Sequence, residues 1–281
     1  MTEKVWLVTG TSTGFGEKLV DELIQQNQLV VATARNPQKI AGWQTHDNVI
    51  IAPLDVTDKT QIKQAVQAAV DKWGRIDVLV NNAGWGYFGS VEESVEQDVR
   101  AMMETNFWGT SSVTRAVLPI MRAQRSGYII NITSIAGLVG TPAFGYYNAT
   151  KHAVEGLMKA LSQEVQPLGI HVTNIEPGPF RTDWAGRSHL AASAEIADYD
   201  QTAHAHTKTV EGFSGQQAGS PELVAKAILK LSRMAEPPLH FLAGENAFTR
   251  AQQEFSNVKK EFDQFKADSE HLYYGDEAYW D

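Results

Sequence analysis

Short apolar runs alternate along this chain with longer stretches in which apolar residues recur every three or four positions. The segments 5–10 (VWLVTG), 29–34 (LVVATA), 49–54 (VIIAPL), 76–82 (IDVLVNN), 127–133 (GYIINIT) and 170–177 (IHVTNIEP) are nearly continuous in apolar residues. That is the pattern of strands covered on both faces. Between them, GEKLVDELIQQ, DKTQIKQAVQAAVDKW and the stretch 95–124 carry helical spacing. A further helix is predicted over 147–166, stopped by Pro167 and Gly169. Ser220-Pro221 opens another in the manner of a cap followed by proline, and PPLHFLAG supplies a last strand. Strand and helix in alternation predict an α/β fold: a doubly wound parallel sheet of about seven strands with helices on both faces.

No repeat, low-complexity stretch or composition break divides the chain, so residues 1–281 are expected to form a single domain. Over 184–219 the pattern dissolves into small and polar residues with scattered aromatics. A long irregular segment inside a compact domain is expected to be a lid or substrate loop. The region 246–281 reads as a C-terminal helical extension, in which Phe255, Val258, Phe262 and Phe265 fall at helical spacing. That face is expected to dock on this chain or on a partner.

Composition narrows the function. Hydrophobic residues make up 43% and charged residues 20%, the balance of a globular protein. A net charge of −9 speaks against nucleic acid as a partner. Cysteine is absent, which excludes disulfide and thiolate chemistry. No metal site is expected, because His204 and His206 stand two apart in an irregular segment without a carboxylate cluster. No apolar run approaches the ~18 residues of a membrane span. The amino terminus leads into a strand pattern without a basic, then apolar, leader. The expectation is a cytoplasmic protein with no membrane partner.

Two segments carry candidate chemistry. TGTSTGFG, residues 9–16, lies between the first strand and the first helix. Its glycines Gly10, Gly14 and Gly16 permit a tight turn and let a phosphate approach main-chain N–H groups at a helix N-terminus. At the start of a parallel α/β sheet this is where dinucleotides bind. The second segment is YYNATK, residues 146–151. In a helix, residues four apart lie within roughly 40° of one another and residues five apart diverge by roughly 140°. Tyr147, not Tyr146, therefore shares a face with Lys151. By itself that pair is also compatible with a packed tyrosine and a lysine reaching past it to solvent.

Taken together, T-G-x-x-x-G-x-G at Thr9 to Gly16, N-N-A-G at Asn81 to Gly84 and Y-x-x-x-K at Tyr147 to Lys151 resemble the short-chain dehydrogenase/reductase superfamily. The resemblance covers about residues 4–242. It is closest in pattern to hydroxysteroid and retinol dehydrogenase-like members. It implies a Rossmann-type fold, with Ser134 in TSIAG, Tyr147 and Lys151 as catalytic residues and Asn106 in ETNFWG completing the set. Asn106 would sit where its helix is interrupted and help hold a water connected to Lys151; the bland alternative is a buried amide satisfied by backbone. The same resemblance places cofactor contacts at Gly10, Thr11, Ser12, Gly14, Phe15, Gly16, Arg35, Asp55, Val56, Asn82, Ala83, Gly84, Tyr147, Lys151, Pro177, Gly178 and Thr182. It also implies a four-helix interface between copies, hence a homodimer or homotetramer.

The chemistry asks for these residue types. A nicotinamide cofactor carries the hydride, and the protein has one proton to manage. A tyrosine of pKa ~10 is a poor base at neutral pH, and an ammonium one turn away is expected to lower that value. Ser134 would hold the substrate oxygen. Ala34 stands where NAD-preferring relatives place an acid, and Arg35 follows with a fork suited to a 2′-phosphate. NADP(H) is thus the expected cofactor, with NAD(H) accepted. The substrate is expected to be a small carbonyl or alcohol compound, with Trp85, Trp184 and Phe213 walling an apolar pocket. Two rivals keep the fold: a catalytically silent nucleotide-sensing protein, and a nucleotide-sugar epimerase or dehydratase. The complete Asn, Ser, Tyr, Lys set argues against the first, and the chain length and glycine spacing against the second.

Overall fold

The computed structural model describes residues 3–186 and 188–280. In chain order its strands are β1 (Val5–Val8), β2 (Leu29–Ala34), β3 (Val49–Pro53), β4 (Val78–Asn81), β5 (Gly86–Phe88), β6 (Gly127–Ile132), β7 (Ile170–Pro177), β8 (His189–Ala191) and β9 (His240–Ala243). Seven of them form one parallel sheet in the order β3-β2-β1-β4-β6-β7-β9. The helices are α1 (Gly14–Gln25), α2 (Lys59–Trp73), α3 (Glu96–Met103), α4 (Thr110–Gln124), α5 (Gly145–Val165), α6 (Ala205–Gly212), α7 (Pro221–Leu231) and α8 (Glu245–Gln264), followed by the short α9 (Lys266–Glu270) and α10 (Glu277–Trp280). None among the described residues is long and apolar enough to cross a membrane.

The two-residue period of each strand sorts its side chains into two cores. Val5 and Leu7, with Val31, Leu79 and Ile129, pack against Ile62 and Val66 of α2, Val113 and Val117 of α4, and Val154 and Met158 of α5. The alternate positions Trp6 and Val8, with Val30, Val78 and Ile130, pack against Leu19 and Leu23 of α1 and Val224 and Ile228 of α7. Both sheet faces are therefore covered, which is why the strands read as continuous apolar runs. Local signals set the helix ends. Asp58 accepts hydrogen bonds from the N–H groups of Thr60 (2.8 Å) and Gln61 (3.1 Å) at the start of α2. Gly74, at φ +73°, ends that helix. From β3 the chain returns to the far side of β1 to make β4. The connections that leave β1 and β4 therefore run to helices on opposite faces of the sheet and open a crevice at the carboxyl ends.

The structure corrects one expectation and adds detail to two. Within the helical stretch 95–124 the expected interruption at Asn106 is a π-helical segment (Glu104–Gly109) that separates α3 from α4. The segment 184–219 is not irregular: it contains β8, helical turns at Ala197–Tyr199 and Asp200–His204, and α6. β8 forms because the edge of β5 is free to pair with it, a contact between distant segments. α6 buries none of its residues fully, so no apolar stripe marks it in sequence. Finally, α8 docks on the body through small residues, Ala247 and Ala251, packed near Ile135 and Val139. Phe255, Phe262 and Phe265 stay exposed and do not dock on this chain.

Candidate active site

The crevice is built by strapping two loops together. The Thr9 hydroxyl accepts from the N–H groups of Asn82 (2.9 Å) and Ala83 (3.0 Å). The Asn82 side-chain amide donates to the carbonyls of Thr9 (2.9 Å) and Gly10 (2.8 Å). At this separation a Cβ on Gly10 would come 2.8 Å from Ala83 Cα, and Gly10 itself has φ +69°. Thr11 is fully buried, and its N–H (2.9 Å) and hydroxyl (3.1 Å) both go to the Thr33 carbonyl. It ties the loop to β2 rather than facing the crevice.

Ser12 and Gly14 border a cleft of about 830 Å³ that is also lined by Lys18, Arg181, Thr182 and Ser220. Thr182 lies across from Gly14, where an added Cβ would come 3.5 Å from the threonine Cβ. Behind them Phe15 meets Phe180 edge-on at 5.4 Å. Thr13 has the extended backbone of an N-cap, yet its side chain makes no capping hydrogen bond. The first N–H groups of α1 thus retain the donor capacity that suits a phosphate. This uncapped helix end beside a cleft of that size fits the pyrophosphate of a dinucleotide. Farther along the sheet edge, Ala34 is buried at the end of β2 and Arg35 is exposed. One Asp55 oxygen accepts from the Thr57 N–H (2.9 Å) and hydroxyl (2.7 Å), and Val56 beside it is buried. At the end of β7, Pro177 is buried and the Gly178 N–H donates to Ala243 (3.1 Å).

The expected catalytic side chains meet at the carboxyl ends of β4 and β6. Ser134 caps a short turn, accepting from the Ala136 N–H at 3.1 Å. Its hydroxyl also hydrogen-bonds Tyr147. The Lys151 ammonium donates to the Ile132 carbonyl (2.9 Å) and lies 5.7 Å from the centroid of the Tyr147 ring. Tyr147 and Lys151 are both buried, whereas Tyr146 is exposed. Burial pushes the Tyr147 phenol above its ordinary value, with the Ser134 hydrogen bond pulling the other way. Burial lowers Lys151 to about 8, and the Glu155 carboxylate opposes that shift. The expected downward pull of lysine on tyrosine is not what dominates this arrangement. The ammonium sits over the ring and bonds a carbonyl, so desolvation of the phenol prevails.

Asn106 occupies the π-helical segment and is buried. Its side chain accepts from the Trp85 N–H (3.0 Å) and donates to the Trp85 carbonyl (2.9 Å) and the Thr150 hydroxyl (3.2 Å). Backbone thus satisfies much of this amide, and it anchors the loop holding Gly84, where a Cβ would approach Asn106 Oδ1 to 3.1 Å.

An aromatic wall stands over Tyr147. Trp184 packs against it and against Phe88 (5.2 Å) and Phe144 (5.7 Å), with Trp85 in the same cluster. Phe213, expected in this wall, is exposed instead.

With this geometry in hand, comparison with known proteins is decisive. A model of the family described as short chain dehydrogenase matches residues 4–193. The chain belongs to that family. A curated relative of this short-chain dehydrogenase, 3-ketodihydrosphingosine reductase of Bacteroides thetaiotaomicron, is 36% identical over 245 residues, 87% of this chain and 89% of its own. A crystal structure of a short-chain dehydrogenase from Streptomyces avermitilis matches with a TM-score of 0.90 at 32% identity, covering 98% of this chain and 100% of that one. The structure of ElxO with NADP bound matches with a TM-score of 0.73 at 28% identity, covering 88% and 100%.

Sequence reasoning misses several residues that shape the site of this short-chain dehydrogenase. Thr9 and Thr150 escape it because a hydroxyl that bonds backbone leaves no pattern. Glu93 escapes it because its partners are distant in sequence. It accepts from the N–H groups of Glu195 and Ile196 (2.8 Å each) and from the buried His204 ring, holding the 184–219 segment to the β5 side.

Proposed function

We propose that this short-chain dehydrogenase is an NADP(H)-dependent oxidoreductase that interconverts a ketone or aldehyde with its alcohol, with Tyr147 as acid/base and NAD(H) as an accepted second cofactor. The observation that carries the reading is the convergence of Ser134, Tyr147 and Lys151 at the same carboxyl edge of the sheet as the uncapped end of α1. The cofactor supplies or takes up the hydride when bound. In the reductive direction the carbonyl carbon gains that hydride and its oxygen gains the Tyr147 proton. The raised phenol keeps that proton available at neutral pH. Ser134 would hold the oxygen near the phenol, and Lys151 would bind cofactor ribose and stabilise the phenolate left behind.

Ser12, Gly14 and the first N–H groups of α1 would hold the pyrophosphate, Asp55 and Val56 the adenine end, Asn82 to Gly84 and Pro177 to Thr182 the nicotinamide end. Arg35 favours a 2′-phosphate, and the NADP bound to ElxO is in keeping with that. The aromatic wall of Trp184, Phe88 and Phe144 favours an apolar substrate, as does the ketone named in the Bacteroides relative. Residues 184–219 would act as the lid and 246–281 as an accessory extension. We further propose a cytoplasmic homodimer or homotetramer paired through α4 and α5, which light scattering at micromolar concentration would reveal.

Turnover of a carbonyl panel, followed by NADPH absorbance, tests the reading. Tyr147→Phe should lower kcat by about a thousandfold while NADPH binding survives, and Tyr146→Phe should keep most activity. Full activity in Tyr147→Phe would overturn it. A complete absence of turnover in the unmodified protein, with NADPH still bound, would favour the silent nucleotide sensor.

A further inference from the structure

Four positions stand in register across adjacent strands beneath the site: Asn81 on β4, Asn131 on β6, Asn174 on β7 and His240 on β9. The three asparagines are buried and bonded in one direction. Asn81 Nδ2 donates to Thr114 on α4 and to Asn131 Oδ1, each at 2.9 Å. Asn131 Nδ2 donates to Asn174 Oδ1 at 2.9 Å, and Asn174 Nδ2 donates to Glu155 Oε2 on α5. Reversing all three amides would strand the Asn81 NH₂ group, two buried donors without acceptors. Among the three amides the orientation shown leaves only Asn81 Oδ1 unpaired, and an orphan carbonyl costs less than an orphan amine; at the far end Glu155 Oε1 is also unpaired.

Every amide in this ladder aims its donor end at Glu155, and a carboxylate takes that bond as acceptor only when its facing oxygen is unprotonated. Amide dipoles in series polarise one another in the same sense. Glu155 is one helical turn from Lys151 and packs beneath the Ser134 turn, where a Cβ on Gly137 would come 2.9 Å from Glu155 Cγ and 3.2 Å from the Lys151 carbonyl.

The titratable groups around Glu155 are Lys151 on its own helix, Glu176 on β7 and His240 on β9, with Tyr147 beyond Lys151. Glu176 is fully buried, and its Oε1 lies 2.6 Å from His240 Nδ1. An oxygen of Glu155 and one of Glu176 lie within 4.8 Å of each other, and two buried carboxyls that near do not both ionise. Glu176 is the one that keeps its proton, pushed up to about 9 by burial and by the Glu155 charge. Burial raises Glu155 too, but the Thr133 and Asn174 hydrogen bonds, His240 and Lys151 all oppose that shift, and we take Glu155 as the one that ionises.

We propose that Glu155 is a positioning residue for the reaction: held as a carboxylate at the end of the amide ladder, it fixes Lys151 in its ammonium form. This rests on the reading of Tyr147 and Lys151 given above.

Glu155→Gln keeps the shape and removes the charge. In carbonyl reduction with NADPH, its kcat at pH 6 should stay within about twofold of the unmodified protein. The alkaline limb should move down by about one pH unit, giving roughly a tenfold deficit at pH 9. Glu155→Asp should restore part of the limb, and Glu176→Gln should leave it in place. In parallel, ¹³Cε-lysine NMR on the protein without substrate or cofactor would follow Lys151, its resonance assigned by loss in Lys151→Met. The midpoint of its titration should fall in Glu155→Gln.

An unmoved lysine midpoint, or a loss of activity by the same factor at every pH, would overturn the proposal. So would a saturable rise in Tm with Mg²⁺ or Zn²⁺ that disappears in His240→Ala, since Glu155, Glu176 and His240 would then be a cation site. The lysine titration needs no turnover, so its outcome is separate from the Tyr147→Phe test of the function.

Discussion

The rings of Trp184 and Tyr147 lie 5.1 Å apart, centroid to centroid, tilted at 47°. A glycine makes this possible: a Cβ on Gly86 would come 2.9 Å from Cζ2 of the same indole. Trp184 therefore reaches the proposed acid/base only because β5 begins without a side chain. Trp184→Ala should open the wall, lowering kcat/KM for small carbonyls by about tenfold while admitting bulkier ones. Gly86→Ala should displace the indole and reproduce that shift with the tryptophan still present. Kinetics over carbonyls of graded size checks both, and unchanged selectivity in the pair would show that Trp184 does not border the substrate.

Cofactor preference is expected to turn on the end of β2. With Ala34 buried and Arg35 exposed beside it, a charge-assisted contact to a 2′-phosphate is worth ~1.5–3 kcal/mol, about a tenfold to hundredfold preference for NADPH. Arg35→Ala should erase most of that preference through binding, and Ala34→Asp should tilt it toward NADH. Dissociation constants by calorimetry decide the matter, and equal values for the two cofactors in the unmodified protein would refute it.

The 184–219 segment carries its own pH dependence. Hydrogen bonds to Asp200 and then to Glu93 raise the pKa of His204 above 6.5. Glu93 is held down to about 2, first by the Ser90 hydroxyl and then by the Ile196 N–H. The histidine contribution is complete below 6.5 and is lost as pH rises through the raised folded value. The glutamate contribution is complete above 4.5 and is lost as pH falls toward 2. The latch is thus tightest from about pH 4.5 to 6.5. Hydrogen exchange, corrected for intrinsic rates, should show residues 192–204 better protected at pH 6 than at pH 8.5. Glu93→Gln should abolish most of that difference, and equal protection in the unmodified protein at the two pH values would discard the latch.

The sheet, the helices that cover it and the glycine turn were legible in sequence because they rest on short-range signals: two- and four-residue periods, caps and breakers. Helical phase alone set Tyr147 rather than Tyr146 on the side of Lys151, and the structure has the first buried and the second exposed. What tertiary structure decided are relations between residues far apart. Strand register lines up Asn81, Asn131 and Asn174, and no local pattern marks an amide whose partner sits on the next strand. β8 exists only because β5 offers an edge, and Glu93 meets His204 across 111 positions. The phenol of Tyr147 is raised rather than lowered because folding buries it, and the Ser134 hydrogen bond offsets only part of that. Burial and register are properties of the assembled chain, and periodicity along it carries neither.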